Sequence, residues 1–125
     1  YHPTREYAGT PDRIGMLNGK LALIDLKTTS AIHKKPCAIQ LAGAYTPAWN
    51  HHHPDRWIER CVVVHLAKDG SYKLHNIDHP AAENTFLAAC EEFHGRGSAA
   101  SRAVLEQWKS MRTFMFTVYL TTLIT

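Results

Sequence analysis

Asn18-Gly19 constrains the fold of this chain more than any other pair of residues. It lies between two runs of strand character, Arg13 to Leu17 and Lys20 to Leu26. Asn-Gly is the strongest short signal for a two-residue type I′ turn, because both central positions need positive φ. Such a turn fixes the register in the absence of a β-bulge. Leu17 falls opposite Lys20, Ile14 opposite Leu23, and Asp12 opposite Asp25. Strand side chains alternate between faces, so Asp25 and Lys27 share one. Asp12, Asp25 and Lys27 are therefore expected to converge on one patch. Directly opposed Cβ atoms sit about 4.5–5.5 Å apart, and like charges placed there repel. A hairpin that tolerates this arrangement binds a cation there or protonates one acid.

The rest of the chain supplies a scaffold. Arg5 to Gly9 reads as a short strand running into a bend at Gly9-Thr10-Pro11. Leu21-Ala22-Leu23-Ile24 is apolar on both faces, as in a central strand. An aspartate and a lysine closing such a strand are out of place unless they serve something. Thr28-Thr29-Ser30 is a polar loop that either binds a phosphate or starts a turn. A helix is predicted from Pro36, with Ala38, Leu41, Ala42 and Tyr45 on its apolar face, ending at Pro47. Ala42, Gly43 and Ala44 would let it approach the sheet closely. Trp49 to Arg56, with His51-His52-His53, reads as a solvated loop, since adjacent histidines do not readily share one ion.

Trp57 to Leu66 is a buried strand by composition, and Lys68-Asp69-Gly70 turns it back into a half-exposed strand from Ser71 to Ile77. Lys73 and His75 alternate there with Tyr72 and Leu74, a pattern of a solvated face or of phosphate contacts. Asp78 is placed to cap a helix from about Pro80 to His94, and another helix is expected from about Ala99 to Met111. The order of elements predicts an α/β or α+β fold on a mixed sheet. One domain covers residues 1–113, and residues 114–125 form an apolar tail too short to span a bilayer as a helix.

Net charge is +3, which permits a polyanionic partner without demanding one. Cys37, Cys61 and Cys90 make no CxxC pair and no even disulfide set, so a reducing, intracellular setting is expected. The chain opens at Tyr1-His2-Pro3 without Met, close to the first strand, and an upstream segment carrying a further site residue is expected.

Two hard oxygen ligands at strand spacing suit Mg²⁺ or Mn²⁺, with the backbone carbonyl of Leu26 as a third ligand. Lys27 beside them would orient water or stabilise charge on a phosphorane. This combination fits phosphodiester hydrolysis. An ordinary solvated Asp25–Lys27 pair is the plain alternative.

Gly9-Thr10-Pro11-Asp12, Ile24-Asp25-Leu26-Lys27-Thr28-Thr29 and Gln40-Leu41-Ala42-Gly43-Ala44-Tyr45 together resemble the PD-(D/E)XK nuclease superfamily, most closely its RecB-like and phage-type exonuclease branch. The resemblance covers about residues 5–46. It implies a restriction-endonuclease-like core, a mixed sheet flanked by helices. It implies Asp12 and Asp25 as metal ligands, Lys27 as the catalytic lysine and Gln40 near the site. Thr28, Thr29, Ser30 and Tyr45 are secondary candidates for substrate contact. The implied cofactor is Mg²⁺ or Mn²⁺, the partner DNA, and the setting the cytoplasm of a bacterial cell or phage-infected host. A homo-oligomer or a recombination partner protein is compatible with it, and no membrane is implied.

Three features depart from the branch. Gln and Tyr often lie four apart there, whereas Gln40 and Tyr45 are five apart. In an α-helix that separation is a rotation of about 500°, which takes Tyr45 well off the face of Gln40. The branch's upstream acidic or histidine motif is not visible. The three cysteines do not match the set of iron–sulfur members, so no cluster is expected. The leading expectation is a divalent-metal-dependent DNA nuclease. A non-catalytic nucleic-acid-binding or assembly module on the same fold is the second, and a hydrolase of small phosphate esters the third.

Overall fold

A computed structural model of the chain describes residues 1–78 and 80–107. Four strands form one mixed sheet, in the order β1 (Arg13–Leu17), β2 (Lys20–Lys27), β3 (Arg60–Leu66) and β4 (Tyr72–Ile77). The β1–β2 hairpin has the predicted register, with Leu17 opposite Lys20, Ile14 opposite Leu23 and Arg13 opposite Ile24. Asn18 (φ 51°) and Gly19 (φ 78°) are both left-handed, as a type I′ turn requires. β2 runs parallel to β3, and β3 antiparallel to β4. The class is α+β.

A parallel neighbour needs a crossover, and a continuous helical rod over residues 34–52 supplies it. It begins as α1 (Lys34–Ala38), widens into a π segment (Ile39–Tyr45) and resumes as α2 (Thr46–His52). The Thr46 amide reaches back to the Leu41 carbonyl, an i→i+5 bond. Pro47 therefore does not end the helix. It falls in the first turn of the resumed helix, where a missing N–H costs little. The helix consequently takes in His51 and His52, which were expected in a loop. His53 stacks on Trp49 with ring centroids 3.7 Å apart, and His52 Nε2 bonds the Tyr1 carbonyl.

The core lies between the sheet and this rod. Leu23, Cys61, Val63 and Ile77 from the sheet meet Ile39, Leu41 and Ala44 of the π segment, with Tyr7 and Phe86 closing the cluster. α3 (Ala82–Phe93) packs on the π segment, and α4 (Ala99–Glu106) packs on α3. Gly43 is where the rod meets α3. A Cβ there would lie 2.6 Å from the Ala82 carbonyl oxygen, so the small residue serves a helix–helix contact and not the expected contact with the sheet.

Other expectations are corrected. Arg5 to Gly9 is not a strand; a single bridge joins His2 to Tyr7 around left-handed Glu6 (φ 58°). The docking of Tyr7 explains this, since its ring is buried and its hydroxyl donates to the Ala44 carbonyl. Asp78 does not cap α3, whose N-cap is Ala81 without a side-chain bond. α4 has a reciprocal capping box between Ser98 and Ser101. The expected extension to Met111 and the apolar tail lie outside the described residues. Among the described residues no helix is long and apolar enough to cross a membrane.

Candidate active site

β1 ends one residue short of Asp12, and this frees the Asp12 side chain to act across the hairpin. Its Oδ2 accepts a hydrogen bond of 2.9 Å from the Leu26 amide. The carboxylate thus takes over the place of the strand that has stopped. In an extended strand, a residue's amide and carbonyl project from the same edge. The Leu26 carbonyl therefore projects beside Asp12.

Asp25 lies on the helix-facing side of β2 and is only 5% exposed. Lys27 Nζ stands 3.0 Å from its Oδ2. That contact lacks the angles of a hydrogen bond, and Asp25 Oδ2 is buried with no hydrogen-bond partner. Burial pushes the Asp25 carboxyl above its usual range; Lys27 opposes this, and the Asp12 carboxyl adds to it. Burial also disfavours the Lys27 ammonium, but Asp25 outweighs it and the Asp12 carboxylate adds to the effect, so the Lys27 pKa is raised. The pair is an acid that gains from a nearby cation and a lysine that stays charged.

Lys27 forms one wall of a cleft of about 300 Å³. Thr29, Ser30, His33 and Cys37 line it with Gln40 of the π segment. Burial pushes the Cys37 thiol up, despite nearby Lys27, so it stays protonated and is a poor nucleophile. Thr29 donates from its hydroxyl to the Ala31 carbonyl, and its own carbonyl is 2.6 Å from His65 Nε2. That histidine tethers the loop that follows Lys27. Thr28 is exposed and does not line the cleft.

The π segment brings together Gln40 and Tyr45, which α-helical geometry would separate. Gln40 Nε2 donates to Tyr45 Oη over 3.0 Å. Tyr45 is buried, so its contact with the cleft runs through Gln40. It also lines a second cleft of about 180 Å³ with Pro11, Ile14 and Trp49. A π turn places residues five apart on one face, and such turns recur at functional sites.

No family model, curated protein or solved structure compared with this chain matches it.

Among the described residues, no group of three or more His, Cys, Asp or Glu is arranged to hold a metal. Mg²⁺ does not require one, since one or two carboxylates with waters and substrate oxygens commonly suffice. Asp12, Asp25 and the Leu26 carbonyl fit that pattern; Asp25 Oδ2 is buried, forms no hydrogen bond among the described residues and lies 3.0 Å from the Lys27 ammonium. His65 and Cys37 were missed in the sequence. The register that sets Lys27 beside His65 is a parallel pairing across a long crossover, and no local signal encodes it.

Proposed function

We propose that this chain is a Mg²⁺- or Mn²⁺-dependent deoxyribonuclease of the PD-(D/E)XK type, on a restriction-endonuclease-like core, working as an exonuclease in recombination, repair or phage replication. One observation carries the reading. A buried carboxylate whose Oδ2 forms no hydrogen bond among the described residues, a second carboxylate across the hairpin and a charged lysine come together where Lys27 enters the wall of a cleft. A buried carboxylate oxygen without a hydrogen bond calls for a reason, and a site for an ion is one such reason.

Asp12 and Asp25, with the Leu26 carbonyl, are the residues that would hold the ion. When bound, the cation polarises a phosphoryl oxygen and lowers the pKa of its water. The protein groups do the rest. The Lys27 ammonium faces the charge that develops on the phosphorus oxygens, where a fixed donor acts strongly. Gln40, with Nε2 held by Tyr45, keeps Oε1 available to accept from a water or substrate hydroxyl. Thr29 and Ser30 present backbone and hydroxyl groups along the cleft as contacts for the substrate.

The test is degradation of linear duplex DNA in Mn²⁺ and in EDTA, by the wild-type chain and by Asp25→Ala and Lys27→Ala. Loss of activity in EDTA and in both variants is expected. Activity that survives both substitutions would sink the assignment. Calorimetry separates the binding-module alternative, which takes up DNA but no Mn²⁺.

A further inference from the structure

The helix-facing side of the sheet carries a second constellation. Register sets Lys27 beside His65 and His65 beside Lys73. Three basic residues thus form a row across β2, β3 and β4. Strands lie about 4.8 Å apart, so the row spans roughly 10 Å. The adjacent row runs from Asp25 through Val63 to His75. α1 packs on β4 and brings Lys34 to the same place. The rings of His65 and His75 are 6.1 Å apart.

On this face Asp25 pairs with Lys27, at one end of the row. Among the described residues, no carboxylate forms an ion pair with Lys34, His65, Lys73 or His75. His65 Nε2 is taken by the Thr29 carbonyl. His75 Nε2 is shielded from solvent and has no hydrogen-bond partner. Burial and then the fields of Lys73, Lys34 and His65 hold the His75 imidazole below its usual range, as expected where like charges converge. The cluster lies on the β4 side of Lys27, away from Asp12.

We propose that Lys34, Lys73 and His75 form a phosphate subsite, which holds the backbone of a nucleic-acid strand as it leaves the cleft at Lys27. The choice of ligand rests on the nuclease reading. A strand running from Lys27 across β3 to β4 would place successive phosphates over this row. The hydroxyl of Ser30, which lines the cleft with Lys27, adds a neutral donor. Lysines act on phosphate as point charges and contribute without reading sequence.

The test is anisotropy of a labelled single-stranded oligonucleotide in EDTA, titrated with the full chain at several salt concentrations. Lys34→Ala/Lys73→Ala is expected to bind about tenfold more weakly. Its slope of log affinity against log salt should be shallower by about 1.4, the value for two lost phosphate contacts on a single strand. Lys34→Arg/Lys73→Arg should bind like the wild type, because the charge is kept. Lys68→Ala, in the β3–β4 turn, is the control for general surface charge. Equal affinity and slope in the double alanine variant would overturn the inference, as would an equal loss in Lys68→Ala. Displacement by inorganic phosphate as effective as by unlabelled oligonucleotide would overturn the strand as ligand. A chain that binds through Lys34 and Lys73 but never cleaves DNA would keep this inference and lose the nuclease reading. Cleavage that needs Asp25, with binding unchanged in the double variant, would do the reverse.

Discussion

Asp25 is costly to the fold in the absence of a metal ion, because burial outweighs the Lys27 ammonium beside it. Its folded-state pKa is raised by burial, so the folded state binds the proton more tightly than the unfolded state does. The contribution of this group to stability is full below the unfolded carboxylate pKa of about 4 and is lost as pH rises through the folded value. At neutral pH the ionised side chain therefore strains the cation-free protein. Asp25→Asn is expected to raise the melting temperature at pH 7 in EDTA, and this gain should vanish as pH falls below the carboxylate range. Thermal melts across pH check it; an equal gain at every pH would contradict it. Lys27→Met leaves buried Asp25 without its ammonium and should lower stability at neutral pH; in the protein that remains folded it should lower kcat by roughly 10²–10³, the usual effect of deleting one donor to a developing charge. Single-turnover rates measure this. At this scale the sequence was most informative about Asp12, Asp25 and Lys27, because a two-residue turn leaves no freedom of register. It was silent about Cys37 and His65, which reach the site through tertiary pairing.

The π segment is the element that most changes the picture. The five-residue spacing of Gln40 and Tyr45 argued against their meeting, and the widened turn reverses that conclusion. Tyr45→Phe removes the partner of Gln40 Nε2 and should cost about 0.5–1.5 kcal/mol of stability, the net worth of one hydrogen bond. Denaturant unfolding reads this directly. Gly43→Ala forces a Cβ against the Ala82 carbonyl and should cost about 1–3 kcal/mol through overpacking. The same experiment tests it, and an unchanged midpoint would show that the rod and α3 can separate freely. The helix was legible in the sequence only from its apolar spacing. A π turn leaves no compositional mark, and Pro47 gave a false stop because it sits where a helix restarts. The strands were clearer, since Cys61-Val62-Val63-Val64 and the turns at Asn18-Gly19 and Gly70 each carry their own signal.

For the whole molecule, an α/β or α+β fold on a mixed sheet followed from the order of elements, and the helical rod is what makes β2 and β3 parallel. That arrangement gathers acids at one side of Lys27 and bases at the other, a polarity no stretch of sequence displays alone. Cation binding should act on the molecule as a unit. Mn²⁺ at about 100 times its Kd should add about 2.7 kcal/mol to the unfolding free energy by mass action. Asp12→Asn and Asp25→Asn should each lose most of that gain, as melts with and without Mn²⁺ will show.

The most direct measurement is single-turnover cleavage of an end-labelled linear duplex in Mn²⁺, comparing wild type with Asp25→Asn and Lys27→Met that are shown to be folded. Product is expected from the wild type alone, none in EDTA, with at least about a hundredfold loss in each variant. Cleavage at wild-type rates by either folded variant, or by the wild type in EDTA, would contradict it.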